Sequence, residues 1–140
     1  MSSIFVDTIR KIGGTLGTDI RVKTTSVYES ENSTGTTQNL VQGLAKAWCH
    51  FVGSDSSISY SDSFNMSGLT DNGAGSHAVS FSNNMGNAFY AGHVGGSTNR
   101  NGCIDTTTIT TSGCTLETRT FENVATDAAY CMFSMKGDLA

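Results

Sequence analysis

One third of this chain is Ser, Thr or Asn (18, 19 and 10 of 140 residues), and none of it is proline. Short hydroxyl and amide side chains hydrogen-bond to nearby backbone and so compete with helical turns, whereas Thr, Val, Ile, Tyr and Phe sit well on a pleated surface. A helical bundle is disfavoured and a mostly β chain is expected. Without proline to preset φ, chain reversals fall to the 16 glycines together with Asn and Asp. A chain of 140 residues has room for one domain but not for a catalytic domain plus a cofactor domain. Hydrophobic content of 37% is low but sufficient for a core.

Ser2 to Val22 contains two apolar stretches broken by Gly13, Gly14 and Gly17, and its apolar residues settle on no single period. In "TTQNLVQGLAKAW", Leu40, Val41, Leu44 and Trp48 recur at helical spacing behind Thr36 or Thr37 as N-cap, which predicts one short helix. From Ala45 onward the pattern changes to short runs of period two separated by Gly, Asn and Asp clusters. The runs are Ala47 to Val52, Ser57 to Asp62, Phe64 to Leu69, His77 to Ser82, Ala88 to Val94, Cys103 to Thr111, Cys114 to Asn123 and Ala128 to Met135. They predict a single antiparallel β-sandwich or barrel-like domain over 45–140, preceded by an arm and short helix over 1–44 that would serve docking or oligomerisation. Asp71, Asn72 and Gly73 are expected to supply positive φ to a tight hairpin.

The net charge is −4 and the eight Lys and Arg are scattered, so nothing neutralises a phosphate backbone and nucleic-acid binding is not expected. No apolar run approaches 18 residues and no secretory signal is read at the N-terminus, so the expectation is a soluble, unprocessed chain without membrane insertion. Cys49, Cys103, Cys114 and Cys131 include no CxxC pair, which argues against a zinc site, and the mostly apolar setting of Cys49 and Cys131 favours free thiols acting as small core side chains; Cys103 and Cys114, flanking a Thr-rich segment, are the pair placed to bridge if any does. His50, His77 and His93 have no second histidine at i+2 or i+4, and no GxSxG elbow accompanies Ser54, Ser56 and Ser57 near Asp55. Asp62 and Asp71 fall near turns and outside any calcium loop, so turn chemistry is their reading. No catalytic residue, metal or cofactor is expected.

The aromatic residues are distributed one or two per strand, as a small β domain fills its centre. Trp48, Phe64 and Phe81 are read as structural anchors, with the Trp48 indole tying the helix to the first strand. The longest glycine-rich loop, Gly95 to Gly102, offers donors and acceptors on Ser97, Thr98, Asn99, Arg100 and Asn101 suited to sugar hydroxyls or phosphate.

The segments "SIFVDTIRK", "NLVQGLAKAW", "SYSDSFNMSGLTDNGAGSHAVSFSNNM" and "AYCMFSM" resemble the small β domain of marine bacteriophage structural proteins, in particular the tail-fibre-like proteins of cyanophages and pelagiphages. The similar stretches run from about Ser3 to Val22 and Leu40 to Ala91, with a weaker one at Ala128 to Met135. This chain departs from the family pattern at Cys49, where an apolar residue is typical, and at His50, where an amide is. The resemblance implies a non-enzymatic virion component, usually trimeric, that packs against itself and other virion proteins. A short tail fibre or receptor-contacting appendage touching a host surface glycan is the first expectation. A capsid decoration, cement or head-spike protein is the second, and a glycan-binding module the alternative of another class.

Overall fold

The computed structural model describes residues 27–29, 37–39, 43–54, 57–97 and 99–138. The strands are β1 (Val27–Glu29), β2 (Thr37–Asn39), β3 (Ala47–Phe51), β4 (Tyr60–Phe64), β5 (Met66–Asp71), β6 (Ser76–Phe81), β7 (Ala91–Gly96), β8 (Asn101–Thr110), β9 (Gly113–Arg119) and β10 (Cys131–Lys136). β1 and β2 form a two-stranded antiparallel ladder. The other eight form one antiparallel sheet in the order β4-β3-β10-β7-β8-β9-β6-β5. All eight period-two runs between Ala47 and Met135 are strands, with ends shifted by a few residues. No helix occurs among the described residues. In the segment expected to be helical, Thr37–Asn39 is strand, 43–46 is turn and bend, and Trp48 lies inside β3; residues 40–42 and the arm over 2–23 lie outside the described residues.

The sheet's two edge strands, β4 and β5, are consecutive in the chain and separated only by Asn65. Asn65 adopts φ 57°, a left-handed conformation that Asn tolerates better than most residues. The reversal carries the chain from one edge directly onto the other, so the sheet curls nearly closed as a barrel. Side chains make the closure. The Asn65 amide donates to the Lys46 and Asn83 carbonyls at 3.0 and 3.1 Å, and its Oδ1 accepts from the Asn83 backbone N–H at 2.7 Å. The Tyr60 hydroxyl of β4 donates to the Gly68 carbonyl of β5.

The inward parity of the strands fills the barrel. Ala47, Cys49 and Phe51 from β3, Val79 and Phe81 from β6, Val94 from β7, Cys114 and Leu116 from β9, and Cys131, Phe133 and Met135 from β10 are all buried, joined by Met85 and Ala128 from loops. Phe51 packs edge-on against His77 and Tyr60, and Phe81 against Tyr90.

The hairpin between β5 and β6 departs from expectation in one detail. Gly73 and Gly75, not Asp71 or Asn72, carry positive φ, while the Asp71 carboxylate accepts the Gly73 N–H at 2.8 Å. Gly75 also meets the long connection between β9 and β10. Its N–H donates to the Asp127 carboxylate and its carbonyl accepts the Thr118 N–H at 2.8 Å. The Thr118 hydroxyl, fully buried, donates to the Thr126 carbonyl at 2.8 Å.

Candidate functional site

Strand parity places a second set of side chains on the outside of β4-β3-β10-β7. Cross-strand registers align them in two rows: Phe64, Trp48, Ser134 and His93 in one, and Asp62, His50, Met132 and Gly95 in the next. Tyr130 joins the second row by stacking on His50, ring centroids 5.4 Å apart. Trp48 is 36% exposed, Phe64 52%, Tyr130 52% and Met132 46%, a concentration of large apolar side chains on one face.

Where β10 meets β7 the face is indented. One hollow of about 210 Å³ is lined by His93, Gly95, Met132, Phe133 and Ser134. A second, also about 210 Å³, is lined by Ala91, Gly92, His93, Ser134 and Lys136. The directly opposed pair His93 and Ser134 stands between them. The hollows exist because outward positions of β7 carry Ala91 and Gly95. A Cβ at Gly95 would project beside Met132 at an ordinary 3.5 Å contact. β7 also pairs with β8 only at Gly95 and Asn101, so the rest of β7 has no registered partner on that side.

The residues expected as anchors divide. Phe81 is core at 5% exposure. Trp48 and Phe64 are not: they oppose each other on the outer face, because their neighbours Cys49 and Ala47 hold the inward parity of β3. Trp48→Ala is therefore expected to cost about 1 kcal/mol, the value of a cross-strand aromatic pair rather than of a core ring. Chemical denaturation measures this, and a loss above about 3 kcal/mol would return Trp48 to the core.

The loop expected to make outside contacts is a four-residue reversal between β7 and β8, in which Ser97 and Arg100 are already engaged. The Ser97 hydroxyl accepts the Ala129 N–H at 3.0 Å, and the Arg100 guanidinium donates to the Asp127 and Asn99 carbonyls at 3.2 and 3.0 Å. Asn99 turns the chain at φ 64° and Asn101 opens β8; Thr98 lies outside the described residues. Ser97 and Arg100 fasten the reversal to the β9–β10 connection, and the Asn99 side chain is exposed.

Cys103 and Cys114 do not bridge. All four cysteines are free thiols, with Cys103 exposed and Cys49, Cys114 and Cys131 buried. In the β8–β9 ladder Cys103 faces Glu117, three residues beyond Cys114. Burial raises the Cys103 thiol above its ordinary value, the Glu117 carboxylate adding to the effect. Burial raises Cys114 and Cys131 to about 11 and Cys49 to about 12. Iodoacetamide at pH 8 should thus add one label to the native protein, at Cys103, at a rate rising with pH, since the thiolate is the nucleophile. Intact mass spectrometry reads the count, and a second adduct formed as fast would contradict the burial.

Of the histidines, His50 and His93 belong to the outer face, whereas His77 is fully buried, its Nε2 3.2 Å from the Gly53 carbonyl and its Nδ1 without a partner. Among the described residues no three of His, Cys, Asp and Glu converge as a metal-binding group. The Asp71 carboxylate accepts the Gly73 N–H, the turn chemistry expected of it, whereas Asp62 lies inside β4 rather than at a turn and accepts the N–H of the adjacent Ser63; Asp55 and Ser56 lie outside the described residues. The outer-face set of His50, His93, Tyr130, Met132 and Ser134 is not among the expected site residues. The signal was present in "AWCHF" and "CMFSMK", whose strict alternation assigns Trp48 and His50, and Met132 and Ser134, to the side opposite the cysteines.

No protein-family model, no curated protein and no solved structure matches the chain.

Proposed function

We propose that this chain is a non-catalytic structural protein of a bacteriophage particle, a short tail fibre or receptor-contacting appendage, and that its outward working surface is the aromatic face of β4-β3-β10-β7. The observation that carries the reading is that face: Phe64, Trp48, Tyr130 and Met132 stay exposed on a nearly closed β scaffold whose core already contains other large side chains. Aromatic residues held on a rigid sheet lose little side-chain entropy when they engage a partner. The assignment to a virion rests on the resemblance of the quoted segments. The same reading gives a homotrimer in contact with other virion proteins and a host surface glycan as the outside partner, since closed symmetric packing and multivalency raise the avidity of a weak site.

Peptide mass spectrometry of gradient-purified particles should find this chain at a stoichiometry divisible by three, and purified protein should compete with those particles for adsorption to the host. Multi-angle light scattering should give a trimer of the 14.7 kDa chain. Absence from particles would overturn the virion reading. A position on the capsid lattice, with loss of shell stability when the chain is removed, would replace the appendage by a decoration protein.

A further inference from the structure

We propose that the two hollows flanking the His93–Ser134 pair form one site for an acidic saccharide, a chain of pyranose rings bearing carboxylates. The proposal rests on the outer face being the working surface and specifies what that face takes.

The size of the hollows narrows the ligand. At about 210 Å³ each, they fall below the roughly 300–1,000 Å³ that encloses a drug-sized ligand. Each suits one small ring laid on the surface rather than a nucleotide or a buried cofactor. The lining suits the two aspects of a sugar. The Met132 thioether and the bare backbone at Gly95 offer an apolar floor to the C–H side of a pyranose, while the Ser134 hydroxyl and the His93 imidazole stand at the shared rim for its hydroxyls.

The second hollow adds charge. Lys136 lines it, and among the described residues no carboxylate lines either hollow. An ammonium beside an open groove attracts an anionic group as a point charge, and a saccharide chain bearing carboxylates supplies one on each ring. The rows continue past the hollows onto π faces. Trp48 lies directly across from Ser134, and His50, stacked on Tyr130, lies across from Met132. A second saccharide unit leaving the hollows along these rows therefore meets an aromatic platform. Packing by a second copy of the chain explains the face less well, because it would also remove Lys136, His93, His50 and Asp62 from water along with the apolar residues.

The test uses tetrasaccharides of galacturonate, glucuronate and mannuronate, each paired with its methyl-esterified counterpart, which keeps the rings and removes the charge. Titration calorimetry reads affinity, and the emission of Trp48, the only tryptophan in the chain, reports occupancy of the adjoining column. At least one acidic member should bind with Kd of about 0.1–1 mM, as expected of a shallow monovalent site, shift the Trp48 emission, and exceed its ester at least tenfold. Lys136→Gln should reduce that affinity about tenfold. Gly95→Val should abolish binding without lowering the melting temperature, because its added atoms enter the hollow and not the core. Binding by none of the three acids, equal binding of acid and ester, or unchanged affinity in both variants would overturn the proposal. So would conversion of an oligomer to monomer by Trp48→Ser with Phe64→Ser, which would assign the face to a second copy. The result is separable from the virion reading: absence from particles defeats that reading while leaving acid-selective binding intact, and a particle protein that binds no acid defeats this one alone.

Discussion

Gly75→Ala should destabilise the native protein by about 4 kcal/mol or more, a large part of the roughly 5–15 kcal/mol that holds a domain of this kind together. Two effects add at this position. Gly75 has φ +69°, which an L side chain adopts at a cost of about 1 kcal/mol. The new Cβ would also sit 2.3 Å from the Thr118 carbonyl oxygen and 2.6 Å from the Thr126 nitrogen, both backbone atoms that cannot rotate away. Relief requires the β5–β6 hairpin to move off the β9–β10 connection. That movement would break the bonds of Gly75 to Asp127 and Thr118 and expose the buried Thr118 hydroxyl. Gly73→Ala is the control. Gly73 also has positive φ, 113°, but nothing lies within 4 Å of its Cβ direction, so its cost is confined to backbone strain of about 1–2 kcal/mol. Urea denaturation of the two variants separates the terms, and equal losses would show that the close approach at Gly75 contributes nothing.

Raising the pH from 7 to 10.5 should remove as much as about 6 kcal/mol of stability through the three buried thiols. In the unfolded chain each ionises around its ordinary value of 9.0; in the native barrel burial holds Cys114 and Cys131 protonated to about 11 and Cys49 to about 12, with the neighbouring Cys131 and Cys114 adding to the shift at Cys49. Between these limits the native state binds more protons than the unfolded state, so stability is fully present below pH 9 and falls as pH rises toward 11 to 12. The half-buried phenols of Tyr60 and Tyr90, also raised by desolvation, act in the same direction at higher pH. Melting temperature measured from pH 7 to 10.5 should fall steeply above pH 9, and Cys49→Ala, Cys114→Ala and Cys131→Ala should each reduce the slope. A profile flat through pH 10.5 would contradict the shifts.

The strand content was legible in the chain because a half-buried strand writes its two faces into alternate residues. "AWCHF" and "CMFSMK" are ordered inward by Ala47, Cys49 and Phe51 and by Cys131, Phe133 and Met135, and the structure keeps both patterns. The same alternation settles Trp48. As a tie between a helix and the first strand Trp48 would have to face the core, but the parity of its neighbours wins because a single residue cannot change face without slipping the whole strand. The thiols were legible in the main: Cys49 and Cys131 are core as their apolar settings imply and all four are free, while Cys103 and Cys114, the pair placed to bridge if any did, stand three residues out of register on opposite faces.

What the chain determined by itself is local: the existence of eight β runs, their inward and outward residues, and glycine-dependent reversal after Asp71. Those follow from backbone preferences and a period of two, which act between neighbours in sequence. Which strands meet was decided only in three dimensions. β3 and β10 are about eighty residues apart in the chain yet share a ladder, and that pairing, with β7 on its other side, assembles Trp48, His50, Met132, Ser134 and His93 on one surface. Closure at Asn65, the close approach at Gly75 and the engagement of Ser97 and Arg100 have the same origin. Each depends on partners distant in sequence, and loop closure over such distances leaves no periodic trace in the residues it joins.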